Sequence, residues 1–499
     1  MERRDLFKLA SVGLAMAATG GTVGTAAAAA PPEPGNTGAD GTILWHATTR
    51  TRAWDRMAAP ALGAPSSDMF GRHVEVHLEA PAQPIEGFGG AFSERGWDAL
   101  SRLTPALRAQ ALAALFGADG AAFSLCRTPI GANDLSRAWY SYDETPGDFA
   151  MAHFSIAQDR LALLPFIKAA QAIRPDLRLW ASPWSPPTWM KKGGHYAQAP
   201  AWPGQPANGI RPDQLGHEGS DSFIQEPRYF EAYARYFTRY VDAYAQEGVR
   251  IGMVMPQNEF NSAQPFPSCC WTGEGLARFI PYLGAEMDRR GVELFFGTLE
   301  RGNADLLAPA MASPEAARWI KGVGVQWAGK GALEEIKRRW PSLPIWGSEQ
   351  ECGVGTNDWH YARYGWTTMK RYFAAGARAW DYWNLALGAG ASSGWGWPQN
   401  ALVSVAANGQ SYSLTPDYWL LRHLSAFVRP GARYLPTSSF VGYENQMAFR
   451  NPDGSVVVVI NNEMAEPLSV GLGIGKHQLT PTLPADSFNT LVIPARLLA

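Results

Sequence analysis

Residues 251–259 read IGMVMPQNE and residues 343–349 read LPIWGSE. Each is a short apolar run that stops on a glutamate, Glu259 in the first and Glu349 in the second. Six more apolar or aromatic runs flank them: IEGFGGAFS from 85, FSLCRTPI from 123, LRLWASPW from 177, VELFFGT from 292, GVGVQWA from 322 and ARAWDYWN from 377. Between the runs lie amphipathic stretches such as ALRAQALAALF and EAYARYFTRYVDAYAQEG, the second closing at Gly248 as helices commonly do. Strand-length runs alternating with helices predict an α/β fold, a (β/α)8 TIM barrel, over residues 81–430. The longest insertion, from Met190 to about Glu226, is rich in Gly, Pro and Asn and follows the third run, where substrate loops of a barrel belong.

Outside the barrel the pattern changes. After 430, QMAFRN and SVVVVINN flank Pro452, Asp453 and Gly454, a hairpin, and LSVGLGIG and TLVIP continue the β character, so residues 431–499 are expected to form an all-β sandwich domain. In HVEVHLEA, Val74, Val76 and Leu78 alternate with His73, Glu75 and His77, a strand with one wet face. Residues 42–80 are accordingly expected to add strands to the sandwich. His73 and His77 read as that solvated face: on a strand, four-residue spacing does not bring two rings onto one metal. Residues 31–41 are a Pro/Gly linker. Residues 1–30, with Arg3 and Arg4 before a weakly apolar stretch and a run of alanines, match a twin-arginine export signal and predict a periplasmic or secreted protein.

The composition narrows the function. Forty-three basic against 45 acidic residues leave no basic field for nucleic acid or anionic lipid, and no apolar stretch is long enough for stable membrane insertion. Cys126, Cys269, Cys270 and Cys352 are too irregularly spaced for a zinc site or a disulfide framework. HExxH, P-loop and complete GxGxxG patterns are missing, and no GxSxG elbow accompanies a plausible His and Asp order. Twenty Trp residues, by contrast, offer more flat aromatic surface than a core requires and suit stacking on a ligand.

In a barrel the reacting groups stand at the C-terminal ends of the strands. Glu259 and Glu349 close the fourth and seventh runs, so both can approach one substrate from different sides. Glycoside hydrolysis needs such a pair: one carboxylic acid protonates the leaving oxygen while a carboxylate attacks the anomeric carbon or activates water. Glu86 opens its run and belongs near the barrel floor; Asp381 lies inside WDYWN and Asp134 in a loop. Arg127, within LCRTPI, would hold a neighbouring carboxylate anionic.

The segments IEGFGGAFSE, RTPIGANDLSRAWYSYDETPGDF, ASPWSPPTWMK, QNEF, GSEQECG, WNLAL and NPDGSVVVVIN span roughly 85 to 462. Together they resemble glycoside hydrolase family 30, in its glucosylceramidase branch. The resemblance implies a barrel with an attached β-sandwich and a retaining β-glycosidase, an exo-acting β-glucosidase first among the activities. It implies Glu259 as acid/base, Glu349 as nucleophile, and Arg127, Asp134, Trp184, Asn258, Trp327 and Trp383 as substrate-binding residues. A carbohydrate or glycoside would be the partner, with no metal and no cofactor. Same-fold alternatives are a β-1,6-glucanase, β-xylosidase or β-fucosidase; a non-catalytic carbohydrate-binding protein is the alternative of another class.

Some positions depart from the family pattern. Phe260 stands where Pro often follows the acid/base, and Gln326, Trp327 and Ala328 stand where His-Trp-Tyr would. The tyrosine hydroxyl expected on the nucleophile must then come from Tyr382 or another group. Glu351 follows the nucleophile by two residues and would share its face on an extended strand end. Trp271, Trp395 and Trp397 are either stacking platforms or packing residues.

Overall fold

The computed structural model describes residues 41–498. At its centre eight parallel strands close a barrel: Gly87–Ala91, Leu125–Ile130, Arg178–Pro183, Met253–Val254, Glu293–Leu299, Ile320–Gln326, Ile345–Gln350 and Ala377–Asn384. Each overlaps one of the eight runs read from the sequence. They are apolar along most of their length because helices cover the outer face and side chains fill the inner one. The helix Pro227–Gln246 shows how the cover is made. It starts on a proline at its first turn, and Phe230, Tyr233, Phe237, Tyr240 and Tyr244 recur at three- and four-residue spacing on its buried side. Gly248, at φ +79°, lets the chain turn back beyond its end.

Inside the barrel Leu125, Trp180, Met253, Met255, Phe295, Trp346 and Ala379 form a separate apolar plug. Trp346 packs against Phe295 at 4.8 Å and edge-on to Trp180 at 6.3 Å between ring centroids. A polar tie of the plug is the Trp180 Nε1–H, which donates to Asp381 Oδ2 at 2.7 Å. Glu86 lies at the strand starts beside Arg178 and Arg378.

The β-sandwich has two sheets. In the six-stranded antiparallel sheet the order is Arg433–Leu435, Gln446–Arg450, Val456–Asn462, Ser487–Ile493, Leu44–Thr49 and Asp55–Arg56. The five-stranded sheet runs Thr437–Ser438, Val74–Val76, Leu472–Ile474, His477–Leu479 and Leu62–Gly63. Val456, Val458 and Ile460 point into the core between the sheets, while Val457 and Val459 join the barrel's hydrophobic core. The VVVVI run is therefore continuous because both its faces are covered. His423, on the helix Pro416–Ser425, pins the same junction: its two ring nitrogens lie 2.8 Å from Thr490 Oγ1 and 2.9 Å from Thr48 Oγ1, and burial holds it well below the usual histidine range, neutral at physiological pH. His73 and His77 bind neighbouring backbone and side chains, the first accepting from Gly471 N, the second beside Ser438 and Glu79.

Among the described residues no helix is long and apolar enough to cross a membrane. The twin-arginine segment, residues 1–30, lies outside the described residues, as does most of the linker.

Burial raises the Asp381 carboxyl to about 8, against the pull of the Trp180 N–H and of Arg127. The unfolded chain holds that proton only below about pH 4. Its contribution to stability is therefore complete below about pH 4 and is lost as pH climbs through about 8. The thermal midpoint should fall from pH 6 to pH 9, and fall less steeply in Asp381→Asn, whose amide cannot ionise; scanning calorimetry across that range measures both slopes.

Candidate active site

A buried cation organises the site. Arg127, on the second barrel strand, is fully buried and reaches across to three other strands or their ends. Its Nη1 donates to Glu349 Oε2 at 2.6 Å, and its Nη2 to Asn258 Oδ1 at 2.7 Å and Ser182 Oγ at 2.8 Å. The guanidinium plane lies over Trp184 at 4.3 Å and Trp180 at 4.7 Å. A planar fork with several donors can tie three acceptors at once; a lysine ammonium could not reproduce that geometry. Burial lowers the Arg127 pKa, opposed by Glu349, and the guanidinium remains charged.

Glu259 is buried and sits at φ +44°, a left-handed conformation for a residue with a side chain. Thr298, on the fifth strand, holds that turn: its Oγ1 accepts from Glu259 N at 2.8 Å and donates to Asn258 Oδ1 at 3.2 Å. Gln264 Nε2 donates to Glu259 Oε2 at 3.2 Å.

Gln326, which closes the sixth strand, joins the two glutamates. Its Nε2 lies 3.4 Å from Glu259 Oε1, 3.3 Å from Glu349 Oε2 and 3.2 Å from Asn258 Oδ1. Ser348 Oγ donates to its Oε1 at 3.0 Å. The opposite amide orientation would aim an oxygen at three oxygens, so the donor assignment follows from charge.

Glu349 receives a third donor, the Trp327 Nε1–H, at 2.6 Å on Oε1. Burial raises the Glu349 carboxyl to about 7; the Arg127 charge pulls it down, the charge of Glu259 pushes it up, and the Trp327 bond pulls down again. Arg127 lowers this carboxyl, as a neighbouring cation should, while desolvation raises it by more.

The structure brings together the remaining residues named from sequence. Trp184 and Trp383 stack at 5.4 Å, with Arg127 over both rings. Asp134 is buried, accepts from Gln399 Nε2 at 3.4 Å, and adds to the negative charge acting on Glu349. Three open readings are decided. Tyr382 donates to Asp417 at 2.9 Å and does not bond Glu349, which accepts from the Trp327 indole N–H instead. Glu351 pairs with Lys330 and accepts from Tyr364 at 2.7 Å, away from the glutamate pair. Trp271 is fully buried and stacked on Phe223 at 4.5 Å, a packing residue. Ser182, Thr298 and Gln264 are not among the residues expected from sequence, where Gln326 stands out only as a departure from the family pattern. Ser182, Thr298 and Gln326 stand at or near the end of apolar runs, so the criterion that selected the glutamates would have found them had it been applied to neutral residues. Among the described residues no group of three or more His, Cys, Asp or Glu is placed to hold a metal ion.

Paired carboxylates at the strand ends of a closed eight-stranded barrel, beside a β-sandwich, define a glycoside hydrolase of the barrel type. The glycosyl hydrolase family 30 TIM-barrel domain matches residues 85–428 and the family 30 beta sandwich domain matches residues 437–491, and the chain belongs to glycosyl hydrolase family 30. It is 29% identical over 457 residues to the lysosomal acid glucosylceramidase of Mus musculus, covering 84% of this chain and 83% of that protein. It is 26% identical over 495 residues to the endo-1,6-β-D-glucanase neg1 of Aspergillus fumigatus, covering 91% and 98%. In fold it is similar to SrfJ from Salmonella typhimurium, at TM-score 0.79 and 22% identity over 91% of this chain and 99% of that one. The endo-β1,6-glucanase BT3312 gives TM-score 0.77 at 22% identity, over 91% and 100%.

The Trp327 N–H favours the charged form of Glu349, so removing it raises that carboxyl further. In Trp327→Phe the acid limb of kcat/KM should move to higher pH by roughly one unit, the size of a lost hydrogen bond to a charge. A pH–rate profile on an aryl β-glycoside measures the shift.

Proposed function

We propose that this chain is a retaining, exo-acting β-glucosidase related in action to glucosylceramidases, with Glu349 as nucleophile and Glu259 as acid/base. The observation that carries the reading is the single Gln326 nitrogen within hydrogen-bonding reach of both carboxylates. Their facing oxygens lie no further apart than the sum of those two contacts. That bound, on one oxygen of each carboxylate, is compatible with the roughly 5 to 5.5 Å of a retaining pair. The surroundings support the division of roles. Glu349 has the Arg127 cation and an indole N–H to stabilise its charge, whereas Glu259 has amide donors from Gln264 and Gln326.

In the first step a Glu349 oxygen bonds to the anomeric carbon as the glycosidic C–O bond breaks, and the proton of Glu259 goes to the leaving oxygen. Glu259, now a carboxylate, takes a proton from water. The water oxygen bonds to the anomeric carbon, the ester to Glu349 breaks, and a β-configured sugar leaves. Asp134, Asn258, Trp184 and Trp383 border the space where the terminal sugar would sit. Two wall rings and a hydrogen-bonding rim suit a hydroxyl-bearing ring. The adjacent arginines Arg3 and Arg4 support export to the periplasm or medium. A second reading, endo-1,6-β-glucanase, is favoured by the near full-length match to the Aspergillus protein of that name.

Proton NMR of the anomeric signals from nitrophenyl β-glucoside, β-xyloside, β-fucoside and β-galactoside should show a β-product first, and fastest from the glucoside. An α-product first would make the mechanism inverting. Chain lengths released from β-1,6-glucan separate exo from endo action. Glu349→Ala should lose activity by several orders of magnitude and, with azide, yield the α-glycosyl azide. Glu259→Ala should lose about 10²- to 10⁴-fold on poor leaving groups and yield the β-glycosyl azide. Exchanged azide products would reverse the assignment.

A further inference from the structure

On the reading just given, the terminal sugar is enclosed by Trp184, Trp383 and the Arg127 layer, so the leaving group must lie toward the rim. There the structure places aromatic rings from four separate loops in continuous contact. Trp327, which holds Glu349, lies 5.5 Å from Trp397 between ring centroids, and Trp397 lies 5.5 Å from Trp395. Trp395 is 5.4 Å from Trp202 and stacks on Phe266 at 5.4 Å. Phe266 belongs to the loop that begins at Glu259, Trp202 to the insertion after the third strand, and Trp395 and Trp397 to the loop after the eighth. The strip thus begins at one catalytic carboxylate and reaches the loop of the other.

The loop carrying Trp395 and Trp397 is built in place. Gly394 N donates to Asp134 O at 2.7 Å, Ser393 N to Trp397 O at 2.8 Å, and Trp397 N to Ser393 Oγ at 3.1 Å. Gly396, between the two tryptophans, sits at φ +90°, and a Cβ there would fall 1.6 Å from Gln205 Oε1 of the insertion. The two loops therefore interlock through a glycine. Trp202, Trp327 and Trp397 are half-buried, with ring surface still open to solvent, while Trp395 is 6% exposed. The buried indole N–H groups of Trp395 and Trp397 have no acceptor. Ring faces of this kind stack on the apolar C–H faces of sugars, and the half-buried rings of Trp202 and Trp397 offer that surface.

We propose that the Trp397, Trp395 and Trp202 strip binds the leaving-group side of the substrate, and that this leaving group is carbohydrate: one or more sugar units of a β-linked gluco-oligosaccharide beyond the scissile bond. The proposal rests on Glu259 and Glu349 flanking that bond. The test compares kcat/KM of the parent, Trp202→Ala and Trp202→Phe on nitrophenyl β-glucoside, on β-1,3-, β-1,4- and β-1,6-linked gluco-oligosaccharides from disaccharide to pentasaccharide, and on detergent-solubilised glucosylceramide. The parent should gain with chain length on one linkage series. Trp202→Ala should lose roughly tenfold on the longer members while staying within about twofold on the nitrophenyl glucoside, and Trp202→Phe should recover most of the loss. An equal loss on all substrates, a loss confined to glucosylceramide, or no loss on oligosaccharides would overturn the proposal. Calorimetric titration of the pentasaccharides into Glu349→Ala, with and without Trp202→Ala, reads the same contact without turnover. If no glycoside is cleaved the proposed function falls, and weaker pentasaccharide binding on loss of Trp202 still decides for the strip, unchanged binding against it.

Discussion

The Arg127 guanidinium is the constraint on which the rest of the site depends. A cation with no exposed surface must be compensated on the spot, because leaving a charge unpaired in the interior costs several kcal/mol. Compensation here comes from a carboxylate on the seventh strand, an amide oxygen after the fourth and a hydroxyl on the third. The guanidinium itself is covered by indole faces. Satisfying one arginine therefore fixes the relative positions of strand ends that are far apart in sequence, and the geometry of Glu349 and Asn258 follows from that requirement.

Around this core the donors to the two glutamates are chosen so that few of them titrate near neutrality. Arg127, the Trp327 indole and the Gln326 amide keep their protons across the physiological range. The protonation state of the pair is then governed by the carboxyls and by desolvation, with Asp134 adding charge from the side. Replacing an imidazole by the Gln326 amide removes one titrating group from the middle of the constellation and keeps a donor there.

The barrel was legible because each strand is apolar on both faces, which leaves a run in the sequence where a half-exposed strand would leave alternation. The hairpin at 446–462 was legible from Pro452, Asp453 and Gly454. Glu259 and Glu349 could be found because a charged residue ending an apolar run is conspicuous; Thr298 ends its run and Gln326 lies near the end of its own, but neither carries a charge to mark it. The roles of Trp327 and Tyr382 could not be read at all. Whether an indole or a phenol reaches Glu349 depends on a left-handed turn at Trp327, φ +48°, and on Asp417 capturing the Tyr382 hydroxyl from 35 residues away. Likewise Trp271 and Trp395 are the same residue type in comparable loops, and only the three-dimensional packing separates the ring stacked in the core from the one near the rim.

The six-stranded sheet has one further consequence. Leu44–Thr49 pairs along its whole length with Ser487–Ile493, and the neighbouring strand Val456–Asn462 supplies side chains to the barrel core as well as to the sandwich. A chain emerging from the ribosome therefore carries Leu44–Thr49 with only the short strand Asp55–Arg56 beside it until Ser487–Ile493 has been made. The barrel meanwhile lacks the valines that cap one of its flanks. Closure of this sheet waits on very long-range contacts, slow by topology, and the interval before it is when the molecule is most exposed to proteolysis and to wrong strand pairing.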